Sequence, residues 1–292
     1  MVEVEITKAN EMEDNRQYKF LLDKIMRNTN IDFSEYRLQF FERRLQHRFH
    51  SAGCNNYWEY ISLLNKNPKE YDLLIEALTI NESYFFRDTE VFGLLENGII
   101  PEIISQKQAE GATKIRAWSC GTAHGQEAFS MGMLFREALG NSIKNFDIKI
   151  LATDIDKDAL EKAPWGSYDK RALRKMASHL LFKYFTSVQD RYVLSDPVRV
   201  LVNFEHHDII SGIQKRGMDL VLCRNLLIYL EKELQEKVLH SLYAALNPGG
   251  FIILGKTETI PEQMRGCFDV IDVRERVYRK NESCEPAVCG GV

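Results

Sequence analysis

Apolar residues recur at helical spacing over the N-terminal part of the chain, from about residue 17 to residue 88. Polar breaks at residues 28–32, 51–56 and 65–68 interrupt this pattern. The spacing therefore predicts a small bundle of about four helices.

The second of these helices has two distinct faces. One face carries the apolar residues Leu38, Phe41, Leu45 and Phe49. The basic stripe, defined as Arg37, Arg44 and Arg48, lies on another face. A solvated helix face and a docking surface for an acidic partner are both compatible with this stripe.

After residues 90–111 the pattern changes to short β-rich runs that alternate with helices. The strands are expected at 114–120, 147–153, 218–223 and 251–254. Helices are expected at 125–139, 156–163 and 231–246, and a turn at 247–250. This alternation predicts an α/β fold with a parallel sheet that is covered on both faces.

Three segments depart from the alternation. Two apolar runs between residues 180 and 205 flank a Ser-Asp-Pro turn signal, which predicts a small antiparallel insertion. Residues 268–273 and 276–279 are expected to form a terminal hairpin. Residues 281–292 are expected to be a disordered tail.

Composition narrows the class of protein. With 45% hydrophobic and 27% charged residues, the chain resembles an ordinary globular protein. The net charge of −4 offers no basic field for a phosphate backbone, so nucleic acid is disfavoured as a partner. Neither a secretory signal nor an apolar run of about 20 residues is present, so we expect a cytoplasmic protein without membrane insertion.

The six cysteines contain no Cys-x-x-Cys pair and no histidine at ligand spacing, which argues against a metal site. Cys120 and Cys223 end apolar runs and are expected to be reduced, buried residues.

Ligands of such sheets bind at the carboxyl ends of the strands. The loop after the first predicted strand contains Gly121, Gly125 and Glu127, and it matches neither the nicotinamide-binding nor the phosphate-loop pattern. Glu127 disfavours a pyrophosphate and suits a cationic amine, although it also fits the charge preference of a helix N-terminus.

The next loops add further polar side chains. Asp154 at the end of the second strand can accept hydrogen bonds from ribose hydroxyls, and Asp156 can cap the following helix. Arg224 and Asn225 follow the strand at 218–223, where they could line a site or satisfy the local backbone. Together the loops indicate an adenosine that bears an amino acid rather than a dinucleotide.

Four ordered segments resemble the bacterial chemotaxis receptor methyltransferases of the CheR type: LTINESYFFRD, SCGTAHGQEAFS, LATDIDKDALEKA and CRNLLIYLEKELQEKVLHSLYAALNPGGFIILGKTE. The resemblance covers roughly residues 18–280. It implies a substrate-docking helical N-terminal domain at 1–92 and a Rossmann-like, S-adenosylmethionine-dependent methyltransferase sheet at 93–280. It also implies a small inserted antiparallel β subdomain at about 180–205.

The resemblance also implies which residues bind the cofactor. They are Asn81, Ser83, Arg87, Gly121, Glu127, Asp154, Asp208, Ile209, Arg224 and Asn225. Ser83 replaces a usual threonine, Asp208 replaces a common asparagine, and Gln126 and Ala128 differ from the usual Gly-Glu-Glu-Pro loop. Phe85 and Phe86 would form apolar walls, or else belong to the core.

The implied reaction is the methyl esterification of glutamate side chains, with S-adenosylhomocysteine as product. Arg87 would hold either the acceptor or the cofactor's methionyl carboxylate, and Tyr229 would align the acceptor or simply be buried. The expected partner is the cytoplasmic helical domain of a chemoreceptor, docked on the basic stripe of a monomer. An amine, RNA or small-molecule acceptor, or a cofactor-binding scaffold without turnover, are the alternatives.

Overall fold

The computed structural model describes residues 2–29, 31–34, 36–79, 83–212 and 215–281, with side chains from residue 16 onward except those of 38–40. The chain forms two compact units. The first contains Met1–Ile80 together with Tyr229–Glu231, and the second contains Asn81–Ile228 and Lys232–Val292. The predicted tail at 282–292 lies outside the described residues.

The first unit is helical, as predicted. Its helices are α1 (Val2–Thr29), α2 (Leu38–Ser51), α3 (Tyr57–Lys66) and α4 (Glu70–Leu78). The apolar face of α2 is buried at Phe41, Leu45 and Phe49. The Asn56 side chain begins α3 by accepting the Glu59 N–H at 2.9 Å.

The segment Tyr229–Glu231 completes this unit although it is distant in sequence. The Arg37 N–H donates to the Tyr229 carbonyl at 2.8 Å, and Tyr36 and Leu230 form an antiparallel β-bridge. The first unit is therefore discontinuous in sequence.

The second unit alternates helices and strands. Its helices are α5 (Thr89–Leu94), α6 (Ile100–Ala109), α7 (Gln126–Leu139), α8 (Lys157–Lys162), α9 (Ser178–Tyr184), α10 (Asp196–Arg199) and α11 (Lys232–Ala245). Its strands are β1 (Lys114–Cys120), β2 (Asp147–Asp154), β3 (Ser167–Tyr168), β4 (Phe185–Val188), β5 (Arg191–Leu194), β6 (Val202–His206), β7 (Met218–Cys223), β8 (Leu246–Leu254), β9 (Phe268–Asp272) and β10 (Val277–Lys280).

Seven strands form one mixed sheet in the order β6-β2-β1-β7-β8-β10-β9. The first five are parallel, and β10 joins β8 and β9 in antiparallel pairing, which confirms the predicted terminal hairpin. Every residue of β7 is buried, as expected for a central parallel strand covered on both faces. Cys120 and Cys223 are buried, free cysteines, as expected.

The inserted subdomain differs from its predicted bounds of 180–205. Its three-stranded sheet has the order β3-β5-β4, so it begins at Ser167 and its last strand ends at Leu194. The run at 202–206 instead forms β6, which pairs in parallel with β2. The short helix α10, with Pro197 near its start, separates this run from β5, and the run pairs with the edge of β2 that β1 leaves free.

The division between the units also lies earlier than the expected limit at residue 92. Phe85, Phe86, Val91 and Phe92 are buried in the hydrophobic core of the second unit. Because these side chains pack in that core, residues 85–92 belong to the sheet-containing unit.

The predicted turn at 247–250 lies inside β8 as an irregularity. Met218 pairs with Leu246, and Leu220 pairs with Phe251, so β8 carries extra residues at this point. A Cβ at Gly250 would lie 3.0 Å from the Met218 carbonyl oxygen, which explains the glycine. Among the described residues, no helix has the length and apolar character that crossing a bilayer requires.

Candidate functional site

The register of the parallel strands gathers four loops at one edge of the sheet. Cys120 of β1 lies beside Thr153 of β2 and Cys223 of β7, and Asp154 lies beside His206 of β6. The loops that follow these strands therefore start next to one another, as the sequence predicts for a ligand site.

The glycine loop after β1 is tied to β2 by its backbone. The N–H groups of Gly121 and Thr122 donate to the Thr153 carbonyl at 2.9 and 3.0 Å. Gly125, with φ of 86°, precedes α7, and a Cβ there would lie 2.8 Å from the Phe204 ring. Gly121 has φ of 70°, which favours glycine, and the atoms nearest to a Cβ there would belong to the Leu226 side chain, the closest at 3.4 Å.

Asp154 joins the glycine loop to the loop after β2. Its Oδ2 accepts the Ala123 N–H at 2.7 Å, and its Oδ1 accepts the Asp156 N–H at 3.0 Å. Burial raises the pKa of Asp154, and these backbone hydrogen bonds oppose the rise. Asp156 caps α8 by accepting the Ala159 N–H, which is the capping role considered for it.

A buried arginine links three separate segments. The Arg224 side chain is 1% exposed, donates to Glu127 at 3.1 Å and forms an ion pair with Asp88. Glu127 also accepts a hydrogen bond from the Ser119 hydroxyl at 2.8 Å. Two carboxylates thus share one guanidinium, so this cluster keeps a net negative charge and suits a cationic ligand group.

Glu258 organises the loop after β7. Its carboxylate accepts N–H groups from Asn225, Leu226, Ile228 and Gly255 at 2.6 to 3.3 Å. Burial raises the pKa of Glu258, and the backbone hydrogen bonds oppose the rise. Asn225 has φ of 58°, a left-handed conformation that these bonds hold in place.

The segment from Ser83 to Asp88 enters the core through its two phenylalanines. Phe85 is fully buried and packs edge-on against Tyr168 and Phe185, with ring centroids 4.8 and 5.2 Å away. Phe86 packs against Phe92. The two rings therefore belong to the core. Asn81 lies outside the described residues.

Ser83 and Arg87 of the same segment are partly buried. The Ser83 carbonyl accepts a hydrogen bond from the Gln126 amide at 3.4 Å, so this residue lies beside the glycine loop.

Asp208 and Ile209 follow β6 at the same carboxyl end of the sheet. The Asp208 carboxylate accepts the Ile210 N–H at 2.9 Å, and Ile209 is buried. The preceding His207 donates its N–H to the Asp154 carbonyl at 3.0 Å. Because Asp208 and Ile209 directly follow His207, they lie close to the end of β2.

Four other predicted residues, Tyr229 and the basic stripe, belong to the first unit. Arg48 donates to both oxygens of the buried Glu70 at 2.8 and 2.7 Å, and Tyr60 donates to the same carboxylate. Arg44 donates to the Ala77 carbonyl at 3.2 Å. The charge of Arg48 is therefore compensated within the unit, and the docking role of the stripe stays a prediction.

Several buried polar atoms at the four loops have no hydrogen-bond partner within the described part of the chain. They are Thr122 Oγ1, Gln126 Oε1, Arg224 Nε and His207 Nε2. Unsatisfied buried polar atoms are rare in native proteins, and a polar ligand or a water molecule would satisfy these four. Together with the anionic cluster, they fit an adenosine bearing a cationic amino acid. No group of metal-ligating side chains occurs among the described residues.

Sequence reasoning missed Asp88, Ser119 and Glu258. Asp88 follows Arg87 in a segment that was recognised, but nothing in its spacing points to Arg224. Glu258 follows β8, the next parallel strand beside β7, so an inspection of every strand end would have found it.

Known proteins resemble this chain over most of its length. Residues 81–277 match the family described as CheR methyltransferase, SAM binding domain, and residues 16–79 match CheR methyltransferase, all-alpha domain. The chain is 28% identical to a chemotaxis protein methyltransferase of Borreliella burgdorferi over 89% of this chain and 93% of that protein. It is 32% identical to chemotaxis protein methyltransferase 2 of Vibrio cholerae over 82% of this chain and 83% of that protein. The chain therefore belongs to the CheR methyltransferase family.

Proposed function

We propose that this protein methyl-esterifies glutamate side chains on the cytoplasmic helical domain of a chemoreceptor, with S-adenosylmethionine as methyl donor. The observation that carries the proposal is the anionic cluster of Glu127, Arg224 and Asp88 beside a glycine loop with unsatisfied polar atoms. The family match and the relatives named as chemotaxis methyltransferases support it.

Asp154 and Glu127 fit two different parts of the cofactor. Each Asp154 oxygen accepts one backbone N–H and retains a lone pair, so the carboxylate can also accept from both ribose hydroxyls. Glu127 carries the negative charge that a methionyl ammonium requires. Asp208 and Ile209 would flank the adenine, and the Asp208 carboxylate would accept from its amino group.

The bound cofactor supplies a methyl group on a cationic sulfonium. A glutamate with a pKa near 4.3 is already ionised at neutral pH, so the protein needs no general base for this reaction. Its residues have to exclude water and orient the acceptor. We assign these tasks to Arg87, which would hold a carboxylate, and to Tyr229, which would align the acceptor oxygen.

The remaining assignments concern the partner. Arg37 and Arg44 would attract an acidic receptor helix, whereas Arg48 contributes less because Glu70 compensates its charge. Because the proposed substrate is the cytoplasmic domain of a receptor, the reaction would take place in the cytoplasm. The protein would act there as a monomer, without nucleic acid and without membrane insertion.

A methyl-transfer assay with purified receptor cytoplasmic fragments tests the proposal. We expect a product that releases methanol in base, and a rate that stays flat from about pH 6 to 9 because no proton is removed. A fragment whose acceptor glutamates are replaced by alanine is the control.

Two results would contradict the proposed reaction. A base-stable product with a rate that rises steeply between about pH 8 and 10 would identify an amine acceptor. Binding of S-adenosylhomocysteine without transfer to any receptor fragment would identify a scaffold.

A further inference from the structure

A cleft of about 380 Å³ lies in the second unit, with four cationic side chains in its walls. We call it the basic cleft and define it by Lys162, Arg171, Arg174 and Arg191. These residues come from α8, from the segment between β3 and α9, and from β5. All four lie between residues 162 and 191, and the fold brings them together around one cleft.

The basic cleft contrasts with the rest of the protein. Residues 162–191 contain seven Lys and Arg against two Asp, whereas the whole chain has a net charge of −4. Asp169 is the acidic residue that lines the cleft, and its carboxylate accepts a hydrogen bond from the Ala172 N–H at 2.9 Å. The cleft therefore presents a local positive potential on an acidic protein.

Neighbouring residues hold two of the cations in place. Arg191 donates to the Ser167 hydroxyl and carbonyl at 2.7 and 2.5 Å, and the Arg174 guanidinium lies 3.7 Å from the Tyr84 ring centroid. Within the described ranges, no carboxylate forms an ion pair with Lys162, Arg171 or Arg191. Their charge remains available to an incoming anion.

The cleft reaches the predicted cofactor site. Its lining includes His124 and Gln126 of the glycine-loop region, together with Ser83, which is expected to bind the cofactor. An anion in the cleft would thus lie beside the place where the acceptor glutamate has to arrive.

We propose that the basic cleft binds an acidic side chain that flanks the methylated glutamate on the protein substrate. This proposal rests on the proposed function. Lys162 and Arg171 are exposed and lie in an open cleft, which suits the carboxylates of a polypeptide that docks from solution. The cleft accordingly selects acceptor glutamates in acidic surroundings.

The test reverses two charges of the cleft in the full-length protein, with Lys162→Glu and Arg171→Glu combined. We expect the KM for a receptor fragment to rise about tenfold at low salt, with kcat and S-adenosylhomocysteine affinity unchanged. High salt should shrink this difference, because the attraction is screened. The matched control combines Lys144→Glu with Lys237→Glu, two exposed residues outside the cleft, and should leave KM unchanged.

The outcomes separate the two proposals. If the wild-type protein forms no base-labile ester, the proposed function itself fails. If the wild-type protein methylates the fragment and the cleft variant has the same KM, the acidic-substrate inference is overturned. Binding of inorganic pyrophosphate that the variant loses, with KM unchanged, would assign the cleft to a small anion and overturn the inference as well.

Discussion

Asp154 joins two loops in this structure, and we propose a second task for it as a cofactor ligand. Its oxygens accept backbone N–H groups from Ala123 and Asp156, which belong to two different loops. The remaining lone pairs are available to a ligand. The same carboxylate would therefore hold the two loops together and accept hydrogen bonds from the cofactor.

Replacing Asp154 tests both tasks. We expect Asp154→Ala to weaken S-adenosylhomocysteine binding by about 1 to 3 kcal/mol while the protein stays folded, as measured by calorimetry and circular dichroism. Since the pKa of Asp154 is raised, wild-type affinity should fall as the pH decreases through that raised value. Asp158→Asn, in the adjacent helix α8, is the control. An unfolded Asp154→Ala protein would show that the structural task dominates.

Left-handed backbone conformations accumulate at the same site. Phe86, Asp88, Ala123 and Asn225 have φ between 50° and 61°. Such conformations cost about 1 to 3 kcal/mol each unless the surroundings enforce them. Here the buried aromatics, the Arg224 ion pairs, and the carboxylates of Asp154 and Glu258 enforce them. None of this strain is visible in the sequence, because each residue type is ordinary for a loop.

At the scale of elements, the loop after β7 depends on Glu258. Four backbone N–H groups converge on this carboxylate, three of them from the loop itself. A neutral amide offers fewer acceptor sites and places an NH₂ group against these donors.

We therefore expect Glu258→Gln to speed amide hydrogen exchange at Asn225 and Leu226 and to lower kcat, with Glu262→Gln as an exposed control. The folded pKa of Glu258 is raised, so its contribution to stability is fully present below the usual pKa of about 4.3 and is lost as the pH rises through the folded value. The stability advantage of wild type over Glu258→Gln should accordingly narrow as the pH rises. Unchanged exchange at both amides would contradict this role.

The elements that could be predicted are those with a strong local pattern. The strand at 218–223 is uniformly apolar, and the four N-terminal helices have clear periodicity and breaks. The strand at 202–206 was assigned to the wrong sheet, because a short apolar run has the same pattern at a parallel edge as in a hairpin. Its partner is decided by the free edge of β2, which only the folded chain reveals.

The candidate site was likewise predictable from the sequence only where a local pattern marks the residue. Asp154 and Glu127 were predicted because strand ends and helix starts mark them in the sequence. The ion pair of Arg224 with Asp88 joins residues 136 positions apart, and no local pattern encodes that distance. The sequence shows the excess of Lys and Arg at residues 162–191, but not that four of them line one cleft with Ser83, His124 and Gln126.

At the scale of the whole molecule, the helical unit relies on a segment far along the chain. Leu230 is completely buried, and its β-bridge with Tyr36 accompanies the hydrogen bond between Arg37 and Tyr229. Leu230→Ala should lower the free energy of unfolding by about 2 to 5 kcal/mol, the range for buried leucine truncations. Urea denaturation followed by circular dichroism measures this, with the exposed Glu231→Ala as control. Equal midpoints for wild type and Leu230→Ala would show that the segment is dispensable.

The discontinuous helical unit also has a consequence for chimeras between this protein and a relative. A single crossover after residue 80 would exchange Met1–Ile80 but leave Tyr229–Glu231 from the other parent. The exchanged helices would then meet a foreign partner at Arg37 and Tyr36. Because the Leu230 side chain is buried, a chimera that also exchanges these three residues should be more stable than the single-crossover chimera.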